Sequence, residues 1–212
     1  MLNVLQFQVI NPEISSDSAS LYVLLMVLLV LALMITICFA FIPILRKNYA
    51  KIVSAVSLIL TYYLATVMLK YGLDKVFKVQ FYLPEPNLLY TPLGMLDKDI
   101  LYWSTMGASY SYNVFSGLIE VIPAVLLFWR KTRILGLLAL WGVLLNVLFI
   151  NIGFDISVKL YAGFLLLICS VLLLPNVRTL FQFLVLQKQT SLTIISGATF
   201  IRQTIWRYAL KI

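Results

Sequence analysis

Long apolar runs, each closed by a basic or polar cluster, make up most of this chain of 212 residues. A helix needs about 20 consecutive apolar residues to cross the hydrocarbon core of a bilayer. The pattern predicts five such spans, at about 21–45, 52–71, 111–129, 134–151 and 156–174. We therefore expect an all-α, polytopic membrane protein in which a four-helix transmembrane bundle at 52–174 follows one extra N-terminal transmembrane helix.

The segments outside these spans are more polar. Residues 1–20 predict a short exposed N-terminus, and residues 79–109 form one long connection that contains the helix-breaking sequence LPEP. We expect a short interfacial helix at about 93–106. Its residues Tyr102 and Trp103 are expected at the level of the lipid headgroups, where amphipathic rings settle.

The composition fits a bilayer environment, since 62% of the residues are hydrophobic and 11% are charged. A soluble domain is about 45–50% apolar and about 25% charged. The chain has no histidine, which excludes His-ligated haem, imidazole-based catalysis and His-rich metal sites, so no haem or metal is expected. Cys38 and Cys169 form no CxxC dithiol motif and are interpreted as small buried apolar side chains.

The basic residues lie at the ends of the spans, which indicates topology rather than nucleic-acid binding. Eleven of the sixteen Lys and Arg residues fall in three segments: a turn at 46–51, a turn at 130–133 and a basic amphipathic tail at 175–212. The first of these turns follows Pro43, which lies near the end of the first span. Because these segments contain no acid, the positive-inside rule predicts a cytoplasmic C-terminus and an N-terminus outside. We expect a multi-pass protein of the cell (inner) membrane.

One acid lies in the middle of the third span. Glu120 belongs to a stripe at helical spacing with Asn113, Ser116, Gly117 and Ala124, so it is expected to face other helices. A carboxylate at this depth costs a few kcal/mol, about 2.5–3.5 on insertion scales, and such groups often mark functional sites. Glu120 is either a protonatable group in a site that opens to the outer face, or a structural acid satisfied by a neighbour.

Other polar residues fall at a similar depth, toward the outer face. Lys70 with Asp74, and Asp155 with Lys159, are spaced as i, i+4 ion pairs, and Asp155 is expected to cap the fifth helix after a left-handed Gly153. Lys70 and Lys159 are the expected partners of Glu120, together with the amides of the fourth span. The candidates for binding or proton exchange are Glu120, Lys70, Asp74, Lys75, Asn113, Asn146, Asn151, Asp155 and Lys159.

Three segments resemble the DoxX-like family of four-helix membrane proteins over about 52–174. They are YGLDK at 71–75, NVFSGLIEVIPAVLLFWRKTRILG at 113–136 and DISVKLYAGFLLLICSVLL at 155–173. Gly72, Lys75 and Gly117 match the family pattern, whereas the acid of the third helix comes later here, at Glu120. The resemblance implies membrane redox chemistry, because family members are linked to quinol oxidation and thiol stress.

Three functions follow from these observations. The first is a quinone- or lipid-binding redox accessory subunit, with an outer-half polar site around Glu120 and a membrane partner protein that carries the electrons. The second is a small-molecule transporter, since intramembrane charges also mark ion pathways. The third is an assembly or scaffold subunit whose small residues Ser54, Ser57, Ala65, Gly136 and Gly142 bind partner helices. No oligomeric state is predicted.

Overall fold

The computed structural model of the protein describes residues 17–41 and 43–188, and within these ranges it is helical and contains no strand. The α-helices are α1 (Ala19–Phe41), α2 (Pro43–Val76), α3 (Pro86–Leu89), α4 (Lys98–Ala108), α5 (Tyr110–Leu126), α6 (Arg133–Gly153), α7 (Lys159–Leu173) and α8 (Val177–Leu184). Short 3-10 turns occur at Leu93–Met95 and Leu174–Asn176.

Four segments of the described chain are long and apolar enough to cross a membrane: Ala19–Cys38, Asn48–Val76, Arg133–Gly153 and Lys159–Leu184. The helix α5 is also apolar but shorter, with 17 residues, which is near the lower limit of about 17 residues for a span. The expected all-α, polytopic membrane fold is therefore confirmed.

The boundary between the first two spans differs from the prediction. The first helix ends at Phe41, and Pro43 is the first residue of α2 rather than the end of the preceding span. The segment 46–51, predicted as a basic turn, is helical and belongs to the first turns of α2. Proline favours this position because the first helical residue needs no N–H donor.

The bundle is a series of neighbouring helices, in which α2 packs along α5, α5 against α6, and α6 against α7. The Tyr62 ring of α2 lies 5.9 Å from that of Phe128 just after α5, and Lys78 just after α2 reaches the Tyr110 ring at the start of α5. The helices α2 and α5 therefore run antiparallel. The core residues Leu64, Ala65, Ala124, Leu127, Leu137, Leu140 and Cys169 are fully buried.

The first helix is peripheral to this bundle. It contacts α2 over a small area, and none of its spanning window is buried by the rest of the chain. Cys38, which was expected to be buried, is exposed on this helix, so that expectation is wrong for Cys38 and right for Cys169. In a bilayer the apolar surface of α1 is satisfied by lipid without further packing.

The long connection folds back onto one end of the bundle, which we call the loop end; it is formed by residues 77–109 and 154–158. The expected interfacial helix is present as α4, displaced toward the C-terminus relative to 93–106. Two of its aromatic residues pack within the loop end, since the Tyr102 ring lies 4.9 Å from that of Phe154 and the Trp103 ring 4.9 Å from that of Phe81. The expectation that both rings lie at the level of the lipid headgroups stays a prediction.

The predicted tail is described only as far as residue 188. It begins with the turn Leu174–Asn176 and continues as α8, whose Leu180 is buried while Phe181 and Phe183 are exposed. The predicted exposed N-terminus up to residue 16, and the basic residues Arg202, Arg207 and Lys211 of the tail, lie outside the described residues.

Candidate functional site

Two glycines set the distance between α2 and α5. A Cβ atom on Gly72 would lie 2.8 Å from the carbonyl oxygen of Gly117 and 2.7 Å from Cγ2 of Val121. The backbones therefore touch at this crossing, a geometry that small residues allow in membrane helices. Four members of the stripe predicted for α5 are buried, namely Asn113, Gly117, Glu120 and Ala124, and the fifth, Ser116, is half-buried.

Glu120 forms an ion pair with Lys75 of α2 beside this crossing. Lys75 follows Gly72 by three residues, and Glu120 follows Gly117 by three residues. Each Cα atom therefore lies about 4.5 Å from the crossing along its own helix axis, and the two lie in opposite directions. Side chains on a helix lean toward its N-terminus. Because α2 and α5 are antiparallel, the two side chains lean back toward the crossing and meet there.

This pair is almost fully buried, with 9% of the Lys75 side chain and 3% of the Glu120 side chain exposed. The sequence predicts Lys70, Lys159 or an amide of the fourth span as the partner of Glu120, and this prediction is wrong. Lys70 is instead exposed and pairs with Asp74 at 2.6 Å, while Lys159 pairs with Asp155 at 2.7 Å. Both of these are the i, i+4 pairs expected from the sequence.

A central cavity of about 330 Å³ adjoins the buried pair on the side of α4, α6 and α7. Its deep part is apolar and includes Met68, Leu144 and Leu165. Its polar part lies toward the loop end and is lined by Lys75, Gln80, Asp99, Tyr102, Glu120, Asn151 and Ser157. Aromatic side chains complete the wall: Tyr71, Phe81, Trp103 and Tyr161.

Three buried polar atoms around this cavity have no hydrogen-bond partner within the described part of the chain. They are the acceptors Oε1 of Gln80 and Oε2 of Glu120, and the donor Nδ2 of Asn151. Buried polar groups are nearly always paired, with protein or with ordered water. These three atoms belong to side chains that line one cavity, and they leave two acceptors and one donor for a molecule or a water that enters it.

Tyr102 brings a hydroxyl to this wall from α4, outside the spanning segments. Burial, assisted by the nearby Tyr112, raises the pKa of the Tyr102 phenol to about 12. The phenol is therefore neutral at physiological pH and keeps its proton for donation. It also lines a second cavity described below.

The remaining candidates lie outside the central cavity. Asn113 is fully buried and donates from Nδ2 to the carbonyl oxygen of Phe81 at 3.1 Å, so it fastens the loop to α5. Asn146 is exposed on α6. Among the predicted site residues, the central cavity brings together Lys75, Glu120 and Asn151, and it excludes Lys70, Asp74, Asp155 and Lys159.

The turn before α7 also corrects a prediction. Asp155, not Gly153, has the left-handed backbone conformation, with a φ of 54°. Its carboxylate does not cap α7 but accepts a hydrogen bond from the Lys159 ammonium, which holds the pKa of Asp155 below its usual range. The capping role belongs to Asp17, whose two oxygens accept from the backbone N–H groups of Lys159 at 3.1 Å and Leu160 at 3.0 Å.

Several cavity residues were not predicted from the sequence. Gln80 lies at the start of the long connection, and Tyr71 and Tyr161 lie in predicted spans, where the sequence predicts no site role for any of the three. Only the recurrence of tyrosines near the loop ends of α2, α4 and α7 gives a sequence signal for this site. Within residues 17–41 and 43–188, no group of three or more acidic or Cys side chains has the arrangement needed to hold a metal ion.

Comparison with known proteins gives one informative similarity. Over 71 residues the chain is 35% identical to "Uncharacterized protein YwoB" of Bacillus subtilis (strain 168). The matched region is 34% of this chain and 46% of that protein, so the chain spans about half the length of the relative. No family model matches the chain, and no solved structure matches it.

Proposed function

We propose that this protein binds a membrane-soluble molecule with a hydroxyl-bearing headgroup, of the quinol or lipid class, in the central cavity. The observation that supports this most directly is the set of unpaired atoms on Gln80, Glu120 and Asn151 around a single cavity. The cavity volume of about 330 Å³ is at the low end of the range of about 300–1,000 Å³ for small-molecule pockets. It suits a headgroup whose apolar tail remains in lipid.

The unpaired atoms favour a hydroxyl over a carbonyl as the main recognition group. Two of the three are acceptors, on Gln80 and Glu120, and a bound hydroxyl can donate to either of them. A hydroxyl oxygen can in addition accept from Asn151 or from the remaining N–H groups of Lys75. A fully oxidised quinone carbonyl accepts but does not donate, so it would leave both acceptors unpaired.

The DoxX-like resemblance extends this proposal to a redox accessory function. Oxidation of a quinol to a quinone releases two protons and two electrons. Glu120 is the group placed to accept one of these protons from the bound hydroxyl, and the second proton passes to water at the loop end. The electrons would pass to a redox cofactor of a membrane partner protein, since the chain itself carries no histidine and no dithiol motif.

The charge distribution supports an orientation for the site. We propose that the protein lies in the cell (inner) membrane with its N-terminus outside and its C-terminus in the cytoplasm, because basic residues gather at 46–51, 130–133 and in the tail. The loop end, and with it the Lys75–Glu120 pair, then lies in the outer half of the membrane.

The scaffold hypothesis has less support from the packing. Its argument was that small residues are free to bind partner helices. Ser57 and Ala65 are instead buried within the bundle, and a Cβ on Gly136 would lie 2.9 Å from the carbonyl oxygen of Pro123. These three small residues are used for contacts inside the chain, whereas Ser54 is half-buried and Gly142 is exposed on α6.

The proposal is tested by equilibrium partition of a quinol between lipid nanodiscs that contain the protein and empty nanodiscs. The probe is decylubiquinol kept reduced under nitrogen, and the oxidised form is measured in parallel. We expect a saturable excess of the quinol in the protein-containing discs, and a smaller excess of the quinone.

The matched variants separate the buried pair from an exposed one on the same helix. Lys75→Met/Glu120→Met removes both charges from the cavity, and we expect it to abolish the excess. Lys70→Met/Asp74→Met removes the exposed pair of α2, which lines no part of the cavity, and we expect it to bind normally. Absence of saturable binding, or equal binding by both double variants, would overturn the proposal.

A further inference from the structure

A second cavity meets the buried ion pair from the opposite side. It has a volume of about 320 Å³ and lies between α5 and α6; we call it the lateral groove. Its walls include Phe115 and Ile119 of α5 and Ala139, Gly142 and Asn146 of α6. Five residues line both this groove and the central cavity: Lys75, Tyr102, Glu120, Val147 and Ile150.

The lateral groove is open to the outside of the bundle at membrane depth. Phe115 is 56% exposed and Ile119 37% exposed, and Ala139 and Gly142 on the facing helix are also exposed. A Cβ atom on Gly142 would meet no other heavy atom within 4 Å, so the space beside this glycine is empty. In a bilayer this opening faces lipid rather than water.

Two polar features distinguish the lateral groove from an ordinary packing defect. The Glu120 side chain is 97% buried, lines the groove, and has an oxygen, Oε2, without a hydrogen-bond partner. Asn146 places an amide on the exposed wall of α6, where a polar side chain facing lipid alone is unfavourable. Both features suit a headgroup that passes through the groove.

We infer that the lateral groove between α5 and α6 is the passage by which a lipid-dissolved, hydroxyl-bearing amphiphile reaches the central cavity from the bilayer. This inference rests on the proposed function, because it assumes that the central cavity binds such a molecule. The Lys75–Glu120 pair separates the two cavities, so the headgroup exchanges its contact with Asn146 for one with Glu120 before it reaches Asn151. The apolar tail stays between the two helices, in contact with lipid.

The test is a stopped-flow measurement on protein in nanodiscs that keeps Trp103 as its sole tryptophan, since Trp103 lines the central cavity. Quenching by decylubiquinol, kept reduced under nitrogen, then reports occupancy of that cavity. Gly142→Leu fills the empty space of the lateral groove, and Ala139→Leu narrows the same wall. We expect both variants to slow association and dissociation by at least about fivefold while the equilibrium constant changes little, because a blocked passage affects both directions alike.

Gly163→Leu is the matched control. Gly163 lies within α7, has no heavy atom within 4 Å of its Cβ position, and lines neither cavity. We expect normal rates for this variant. If Trp103 in the unblocked protein shows no saturable quenching, the proposed function itself fails. If quenching is saturable but neither groove variant changes the rates relative to Gly163→Leu, the lateral passage alone is overturned.

Discussion

Gly72 and Gly117 lie in backbone contact where α2 crosses α5: a Cβ atom on Gly117 would stand 2.5 Å from the carbonyl oxygen of Gly72. This contact determines the geometry of the candidate site, because Lys75 lies three residues after Gly72 and Glu120 lies three residues after Gly117. A wider crossing would move the two charges apart within a medium that solvates neither.

We predict that Gly117→Ala destabilises the protein. The added methyl group would collide with the backbone of α2, which cannot move without separating the helices, and overpacking of this kind costs about 1–3 kcal/mol. A lower thermal unfolding midpoint in detergent is the expected result.

Gly163→Ala provides the control in α7, where the space is open. There the same change should stabilise the protein by about 0.5–1 kcal/mol, since glycine weakens a helix interior. Equal shifts in the two variants would contradict the backbone contact.

A second prediction concerns the energetics of the buried pair. Replacing one member, as in Lys75→Met or Glu120→Met, leaves the other charge buried without its partner, and we expect each single variant to lose about 3–5 kcal/mol. The double variant should recover most of this loss, because two apolar side chains of similar volume need no solvation. A double-mutant cycle of unfolding free energies measures the coupling. Additive losses in the double variant would show that the two residues do not interact.

The existence of the spans and the inward face of α5 could be predicted from the sequence, because both depend on periodicity along a single helix. The stripe of Asn113, Gly117, Glu120 and Ala124 is an example, since 3.6-residue spacing alone places these residues on one face. The pairs Lys70–Asp74 and Lys159–Asp155 were predicted for the same reason.

The partner of Glu120 could not be predicted in this way. Its identity depends on the depth at which α2 and α5 cross, and two glycines 45 residues apart set that depth. Once the crossing is known, the lean of side chains toward each helix N-terminus selects Lys75 over Lys70. The cap that Asp17 provides for α7 depends on the position of α1 against the bundle, a relationship between residues more than 140 positions apart.

A third prediction tests that long-range cap. Asp17→Ala removes both acceptors from the first N–H groups of α7, and loss of such a cap costs about 0.5–2 kcal/mol. We expect a lower unfolding midpoint and faster amide hydrogen exchange at Lys159 and Leu160. Asp97→Ala is the matched control, since Asp97 occupies the N-cap position of α4 without a side-chain capping bond. A comparable loss in Asp97→Ala would indicate a general charge effect instead.

The last prediction concerns the protonation of Tyr102. Its pKa is raised from the ordinary 10.0 to about 12, because burial opposes the phenolate. The folded protein therefore binds this proton more tightly than the unfolded chain does, so the stabilising contribution is complete below pH 10 and falls as the pH rises from 10 to about 12.

Subtracting the phenolate absorbance of Tyr102→Phe from that of the parent protein isolates this single group during an alkaline titration. The difference curve should have its midpoint near pH 12, and Tyr102→Phe should lose less stability than the parent between pH 10 and 12. A midpoint near 10 would show that Tyr102 is open to water and that α4 does not cover the central cavity.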